Sequence, residues 1–161
     1  LPTESEFTII SYNSKVKSHT SGSWVKAKSQ ELVSSTLKSA LDVLPENGTN
    51  LEKALLVAQA MRPRPDAVYI ITDGLPTLGE PLGKFAISLK ARRCLNSKGR
   101  ISPDCRHILF QKAVAEFFKD QKIKTSTILL PLQGDQRAAA DYWNLALQSG
   151  GTTISPSKDW P

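Results

Sequence analysis

The sequence predicts an α/β domain, formed by residues 1–161 as one unit, with a mostly parallel central sheet and helices on both faces. The second half of the chain alternates short β-rich runs with helix-length apolar patterns, which is typical of a layered α/β fold. The run Val68 to Ile71 shows no alternation of polar and apolar residues, which indicates a strand buried on both faces. The hydrophobic fraction of 40% supports one full core.

The first half of the chain is predicted to hold two strands and two helices. Phe7 to Tyr12 is predicted to be a strand, and Val16 to His19 a short edge strand. Ser29 is the expected N-cap of a helix that ends near residue 44. The expected inner face of this helix carries Val33, Leu37, Ala40, Leu41 and Leu44. The next helix opens on residues 49–52, and its apolar positions are Leu51, Ala54, Leu55, Ala58 and Met61.

The second half is predicted to hold three strands, near residues 67–72, 123–130 and 152–154, with helices between them. Residues 74–104 form a long connection. Ser102 and Pro103 predict the N-cap and first position of a helix that ends near Asp120, with Phe110, Ala113, Val114, Phe117 and Phe118 inside. Asp135 is expected to cap the last helix, whose apolar positions are Ala139, Tyr142, Trp143, Ala146 and Leu147.

Asp73 is the first candidate binding residue, because it directly follows the strand predicted at residues 67–72. Gly74 and Pro76 end that strand and leave a short carboxylate at its C-terminal end. In open α/β sheets, ligands bind outside the carboxyl ends of the strands. The alternative is a purely structural role, in which Asp73-Gly74 is an ordinary turn pair.

Charge and composition argue against nucleic acid as a partner and against a membrane-spanning segment in this chain. The net charge is +6, and basic residues crowd residues 84–106, but no aromatic residues are interleaved there to stack bases, so nucleic acid is not favoured. No apolar run is long enough to span a bilayer. The chain begins Leu1-Pro2-Thr3 without a signal sequence, and we expect it to be a piece of a longer protein.

The two cysteines, Cys94 and Cys105, lie at the ends of a short loop in the same basic region. Such a pair suggests a disulfide if the compartment is oxidising. The alternative is two unrelated thiols in a cytosolic protein.

Two motifs, the run from Gly48 to Leu55 (Gly-Thr-Asn-Leu-Glu-Lys-Ala-Leu) and the run from Val68 to Thr77, together resemble the von Willebrand factor type A domain, bacterial type. The resemblance covers nearly all of the chain and implies a three-layer, Rossmann-like fold with one antiparallel edge strand. It also implies a Mg²⁺ (or Mn²⁺) site, the metal-ion-dependent adhesion site, with Thr49 and Asp73 as ligands. The family's Asp-x-Ser-x-Ser segment is missing from this chain, so the remaining ligands and the first, central strand are expected upstream of Leu1. Without that strand, the sheet is expected to have a gap between the Phe7 and Val68 strands.

The function implied by this resemblance is non-enzymatic, metal-dependent binding of a carboxylate on a protein partner. The expected rim of the binding site comprises Gly48, Gly74, Lys84, Arg92 and Arg93. Relatives of this type are often membrane-anchored in the cell envelope, which favours a location outside the cytoplasm for this domain, with the cytoplasm as the alternative.

Two other functions stay open from the sequence. One is a metal-independent structural or assembly domain, in which Thr49 and Glu52 serve only as a helix capping box. The other is a Mg²⁺-dependent phosphoryl-transfer enzyme with Asp73 as nucleophile. That activity is disfavoured, because such enzymes set a second carboxylate close by and residues 72–75 offer only one.

Overall fold

The structure, a computed structural model, describes residue 2 and residues 4–43, 48–79, 101–130 and 135–155. These residues form a mixed α/β fold. The strands are β1 (Glu6–Phe7), β2 (Ile10–Tyr12), β3 (Val16–Ser18), β4 (Val25–Lys26), β5 (Ala67–Thr72), β6 (Lys124–Leu129) and β7 (Thr153–Ile154). The helices are α1 (Gln30–Leu41), α2 (Leu51–Ala60), α3 (Pro103–Phe117) and α4 (Ala138–Ser149).

The three later strands form a parallel sheet in the order β5-β6-β7. β5 and β6 pair along their whole length, from Ala67 opposite Lys124 to Thr72 opposite Leu129. β7 adds a short pairing to β6, with Thr127 opposite Thr153. Because α3 and α4 lie between successive strands in the chain, each parallel pair is joined through a helix, as parallel pairing requires. The predicted parallel sheet in the second half is confirmed.

The strands of the first half form two separate antiparallel pairs, β1 with β4 and β2 with β3. The single strand predicted over Phe7 to Tyr12 is therefore wrong. Its first part pairs with Val25–Lys26 and its second part with Val16–Ser18, and Thr8 and Ile9 interrupt it. The short strand predicted after Tyr12 is confirmed. β4 was not predicted, because two residues give no periodicity to detect.

One hydrophobic core lies between the parallel sheet and α2, α3 and α4. Its members are Leu51, Leu55, Ile70, Leu75, Phe110, Ala113, Val114, Phe117, Ile123, Leu129, Ala138, Tyr142 and Leu145. On the opposite face of β5, Tyr69 is 67% exposed and Ile71 is 61% exposed. The prediction that this strand is buried on both faces is therefore wrong for the described residues. An unbroken apolar run allows both faces of a strand to be buried. Whether they are buried depends on elements that are distant in sequence, which the run itself does not reveal.

The helix predictions succeed where local signals and packing agree. The predicted apolar stripe of α2 is buried, and so are four of the five positions predicted for α3. The Ser102 side chain accepts from the Cys105 amide at 3.3 Å, with Pro103 at the first position, as predicted. The predicted inner face of α1 is wrong for Leu37 and Leu41, which are 47% and 84% exposed, whereas Val33 and Ala40 are half-buried and Leu44 lies outside the described residues. The one buried residue of the helix is Thr36. In α4 the buried face is rotated, so that Trp143 and Leu147 are exposed.

We expect Gly151→Ala to lower the free energy of unfolding by about 2–3 kcal/mol, the upper part of the range found for overpacking. A Cβ on Gly151 would collide with the backbone carbonyl of Thr125 on β6, so the β6–β7 junction must shift. Urea unfolding followed by circular dichroism measures the change. Gln148→Ala, on the exposed side of α4, is the control and should stay within about 0.5 kcal/mol. Equal stability of the two variants would contradict this account.

Candidate functional site

The structure ties the segment that contains Thr49 to the loop that begins at Asp73. The Thr49 amide donates to the Thr77 hydroxyl at 2.8 Å, and the Thr49 carbonyl accepts from the amides of Thr77 and Leu78, both at 3.0 Å. Asp73 directly follows β5 and its side chain is exposed. The two predicted site residues therefore lie on neighbouring loops at the carboxyl end of the parallel sheet.

The predicted capping box of Thr49 and Glu52 is wrong. The N-cap of α2 is Asn50, whose side-chain oxygen accepts from the Lys53 amide at 3.1 Å. Glu52 is buried and pairs with Lys112 at 3.1 Å. The Thr49 hydroxyl makes no hydrogen bond within the described part of the chain. Helix capping therefore gives no reason for a threonine at this position.

The two glycines of the predicted rim have different structural roles. Gly48 has φ +85°, a left-handed conformation that disfavours residues with a side chain. A Cβ there would also lie 2.8 Å from the Thr77 hydroxyl, which is too close. Gly74 is buried, and its carbonyl accepts from the hydroxyls of Thr72 and Tyr142, both at 3.1 Å. Both glycines lie next to the predicted ligands, but only at Gly48 does the backbone conformation itself require a glycine.

A buried ion pair holds the backbone just after Gly74, and the sequence did not predict it. The Asp135 carboxylate accepts from the Leu75 amide at 2.7 Å and from the Arg106 guanidinium at 2.9 Å. Arg106 also donates to the Leu75 carbonyl. The N-cap position of α4 belongs to Arg137, so the prediction that Asp135 caps this helix is wrong. A lone acidic residue in a loop gave no signal for this role.

Two tyrosines lie beside the end of β5. Tyr142 packs edge-to-face on Phe110, with the ring centroids 4.8 Å apart, and burial raises its pKa well above the usual value. The Tyr12 hydroxyl is also buried, and no group in the described residues accepts a hydrogen bond from it or donates one to it with good geometry. Burial raises the pKa of Tyr12, the nearby Thr72 hydroxyl lowers it, and the charge of Asp73 raises it. The sequence placed Tyr12 in a strand but did not single it out.

A groove of about 1140 Å³ runs between β2 and β5, with α2 along its floor. The described part of the chain pairs β2 only with β3 and β5 only with β6, so one edge of each strand is left open. At one end, the Asn50 amide donates to the Asn13 carbonyl at 2.8 Å; at the other, the Trp24 indole donates to the Pro63 carbonyl at 3.0 Å. The groove is apolar at its floor, which is lined by Leu51, Ala54, Leu55 and Ala58 of α2.

Several predicted residues cannot be placed from the described structure. Lys84, Arg92, Arg93 and Cys94 lie outside the described residues. Cys105, the chain's other cysteine, is buried and disulfide-bonded. Within the described ranges there is no group of three or more His, Cys, Asp or Glu residues that could hold a metal ion. The helices in these ranges are too short or too polar to cross a membrane.

Comparison with known proteins gives no relative: no family model, no curated protein and no solved structure matches this chain.

We expect Arg106→Ala to lower the free energy of unfolding by about 3–5 kcal/mol, because it leaves the Asp135 carboxylate charged and buried without its cation. The control is Arg137→Ala. Arg137 and Asp104 are also 2.9 Å apart, but their side chains are 47% and 84% exposed, against 17% and 3% for Arg106 and Asp135. The control should cost about 1 kcal/mol or less. Urea unfolding at neutral pH compares the two, and similar losses would show that burial does not decide the strength of these pairs.

We expect stability to fall as the pH rises above about 10, the ordinary pKa of tyrosine, because the folded protein resists ionisation of Tyr142. A group with a raised pKa gives its full stabilisation below the unfolded value and loses it as the pH climbs towards the folded value. Tyr142→Phe should therefore cost about 1 kcal/mol at pH 8 through the lost bond to Gly74, but it should show a shallower decline above pH 10. Urea unfolding across this pH range measures both effects, with Tyr69→Phe as the exposed control.

Proposed function

We propose that this chain is a von Willebrand factor type A-like domain that uses Mg²⁺ or Mn²⁺ to bind an acidic group of a protein partner, without catalysing a reaction. One observation carries this proposal. Thr49, whose hydroxyl makes no bond within the described residues, is tied to the loop that starts at the exposed carboxylate of Asp73. The two residues that the resemblance names as ligands are thus held on neighbouring loops, although they are far apart in sequence.

The groove between β2 and β5 supports the finer fold assignment. Asn13, just after β2, accepts from the Asn50 amide at 2.8 Å, and the adjacent Thr49 carbonyl accepts from the amides of Thr77 and Leu78 in the loop after β5, so both strands end near the segment that contains Thr49. A further strand between them would meet an open edge on each side and an apolar floor. The resemblance assigns this position to the central strand that leads into the Asp-x-Ser-x-Ser segment.

The chemistry of Thr49 and Asp73 fits a hard cation, but the two residues form only part of a site. Mg²⁺ prefers six oxygen ligands and keeps several waters. A hydroxyl and one carboxylate supply two oxygens of the right kind, and the upstream segment would supply others. With so few negative ligands, the bound ion would retain positive charge for a carboxylate of the partner.

Charge and redox state support the rest of the proposal. The net charge of +6 and the basic segment that includes Lys84, Arg92 and Arg93 would attract an acidic partner. The disulfide at Cys105 favours an oxidising compartment, and therefore a domain of the cell envelope, over the cytoplasm.

A metal-independent assembly domain is the second candidate. The observation that favours it is that the described residues hold no cluster of three or more His, Cys, Asp or Glu side chains. Under this alternative, Asp73 would only end the strand and Thr49 would only join two loops.

Titration of Mn²⁺ into the complete protein, followed by calorimetry, distinguishes the two candidates. We expect the wild-type protein to bind, Asp73→Ala to abolish binding, and Thr49→Val to weaken it at least tenfold. Asp66→Ala is the matched control. Asp66 and Asp73 are both exposed aspartates next to β5, but Asp66 precedes the strand and Asp73 follows it. It should bind as the wild type does. A wild-type protein that gives no binding heat would contradict the metal-dependent function and favour the assembly domain.

A further inference from the structure

The Thr77 side chain joins the two loops that carry the candidate ligands. Its hydroxyl accepts from the amide of Thr49 at 2.8 Å, across 28 residues of chain. The other bonds from this loop to Thr49 come from the backbone amides of Thr77 and Leu78, which any residue except proline could supply. The bond to the Thr49 amide, by contrast, needs a side chain that offers an acceptor. This contact therefore depends on which residue stands at position 77.

Both loops are shaped around this contact. Gly48 has φ +85°, and a Cβ there would lie 2.8 Å from the Thr77 hydroxyl, so the glycine leaves the space that the hydroxyl occupies. Leu75 and Pro76, immediately before Thr77, are fully buried. Leu75 is also held through both its amide and its carbonyl by the buried ion pair. Thr77 therefore projects from a fixed backbone towards the Thr49 segment.

For Thr49, these bonds fix the backbone and leave the hydroxyl without a partner in the described residues. Its amide donates to Thr77 and its carbonyl accepts from two amides, so the peptide groups on both sides of its Cα are held. The loop that holds Thr49 is also the loop that begins at Asp73, whose side chain is exposed. One set of bonds thus sets both the direction of the Thr49 side chain and its position relative to Asp73.

We propose that Thr77 is a positioning residue of the metal site, whose hydroxyl holds the Thr49 amide so that Thr49 and Asp73 reach the same ion. This inference rests on the function proposed above. Thr77 acts through Thr49 and is assigned no contact with the ion. A binding site needs its contacting groups held within about 0.5 Å of the productive geometry. Loss of a group that orients a ligand typically lowers metal affinity about 10- to 100-fold.

The test compares Thr77→Val with Thr77→Ser in the complete protein, because valine keeps the branched shape without the hydroxyl and serine keeps the hydroxyl. We expect Thr77→Val to lower the affinity for Mn²⁺, measured by calorimetry, about 10- to 100-fold. Thr77→Ser should bind nearly as the wild type does, because it still offers an acceptor to the Thr49 amide. Circular dichroism establishes that each variant is folded during the titration, and Thr77→Ala replaces Thr77→Val if valine prevents folding.

Ser149→Ala is the control for a general loss of stability. The Ser149 hydroxyl also accepts from a backbone amide remote in sequence, that of Thr125 at 3.1 Å, and it is also partly buried. Thr125 lies at the start of β6, whereas the candidate site lies at the carboxyl end of the sheet. We expect Ser149→Ala and Thr77→Val each to lower the unfolding temperature of the metal-free protein, since each leaves an amide without its acceptor. Only Thr77→Val should lower the affinity for Mn²⁺.

The outcomes separate this inference from the proposed function. If folded Thr77→Val binds Mn²⁺ like the wild type while Asp73→Ala does not, the positioning role is overturned and the metal site stands. Equal losses of affinity in Thr77→Ser and Thr77→Val would also overturn it, since the hydroxyl would not be the group that matters. A similar loss in Ser149→Ala would show that affinity follows general stability, with the same conclusion. If the wild-type protein does not bind Mn²⁺, the proposed function fails and the role of Thr77 fails with it.

Discussion

The buried ion pair of Arg106 and Asp135 fixes the loop on which the candidate site depends. A buried carboxylate is tolerated only when its charge is balanced and its oxygens are hydrogen-bonded. Asp135 meets both conditions by binding a guanidinium and the Leu75 amide together. The same guanidinium bonds the Leu75 carbonyl, so one peptide segment is held on both sides. The backbone after β5 is therefore held by the core itself, and the Asp73 side chain projects from a rigid base.

This arrangement separates the scaffold of the site from its ligands. The hydroxyls of Thr72 and Tyr142 both donate to the Gly74 carbonyl, and the ion pair bonds the amide and the carbonyl of the next residue, Leu75. Asp73 and Thr49, by contrast, have side-chain oxygens without partners in the described residues. A binding site in which the support is fully bonded and the contacting groups are free can bind a ligand without rearranging its backbone.

Sequence patterns predicted the features that depend on residues close together in the chain, such as helix starts and the apolar face of a helix. Ser102 and Pro103 mark the start of α3 because capping is a local interaction, and the apolar spacing of α2 is enough to identify its core face. The outward face of β5 could not be predicted, since Tyr69 and Ile71 have the same character as buried strand residues. Whether an apolar residue is covered depends on elements that are distant in sequence. The same is true of α1, where Leu41 is exposed at a position typical of a core. For the candidate site, the proximity of Thr49 and Asp73 could be expected from a resemblance in two motifs, but the burial of the Tyr12 hydroxyl and the ion pair of Asp135 could not.

The open edge and bare face of β5 also affect how this polypeptide behaves in solution. Soluble proteins normally protect an edge strand with charges, a bulge or a covering element, because unpaired backbone groups next to apolar side chains act as a template for another chain. Within the described residues, β5 has no strand partner on the edge towards the groove, and Tyr69 and Ile71 are exposed on one face. At high concentration, two copies with this surface uncovered would pair through their strands. The feature that makes room for a further strand is therefore also the place where self-association would begin.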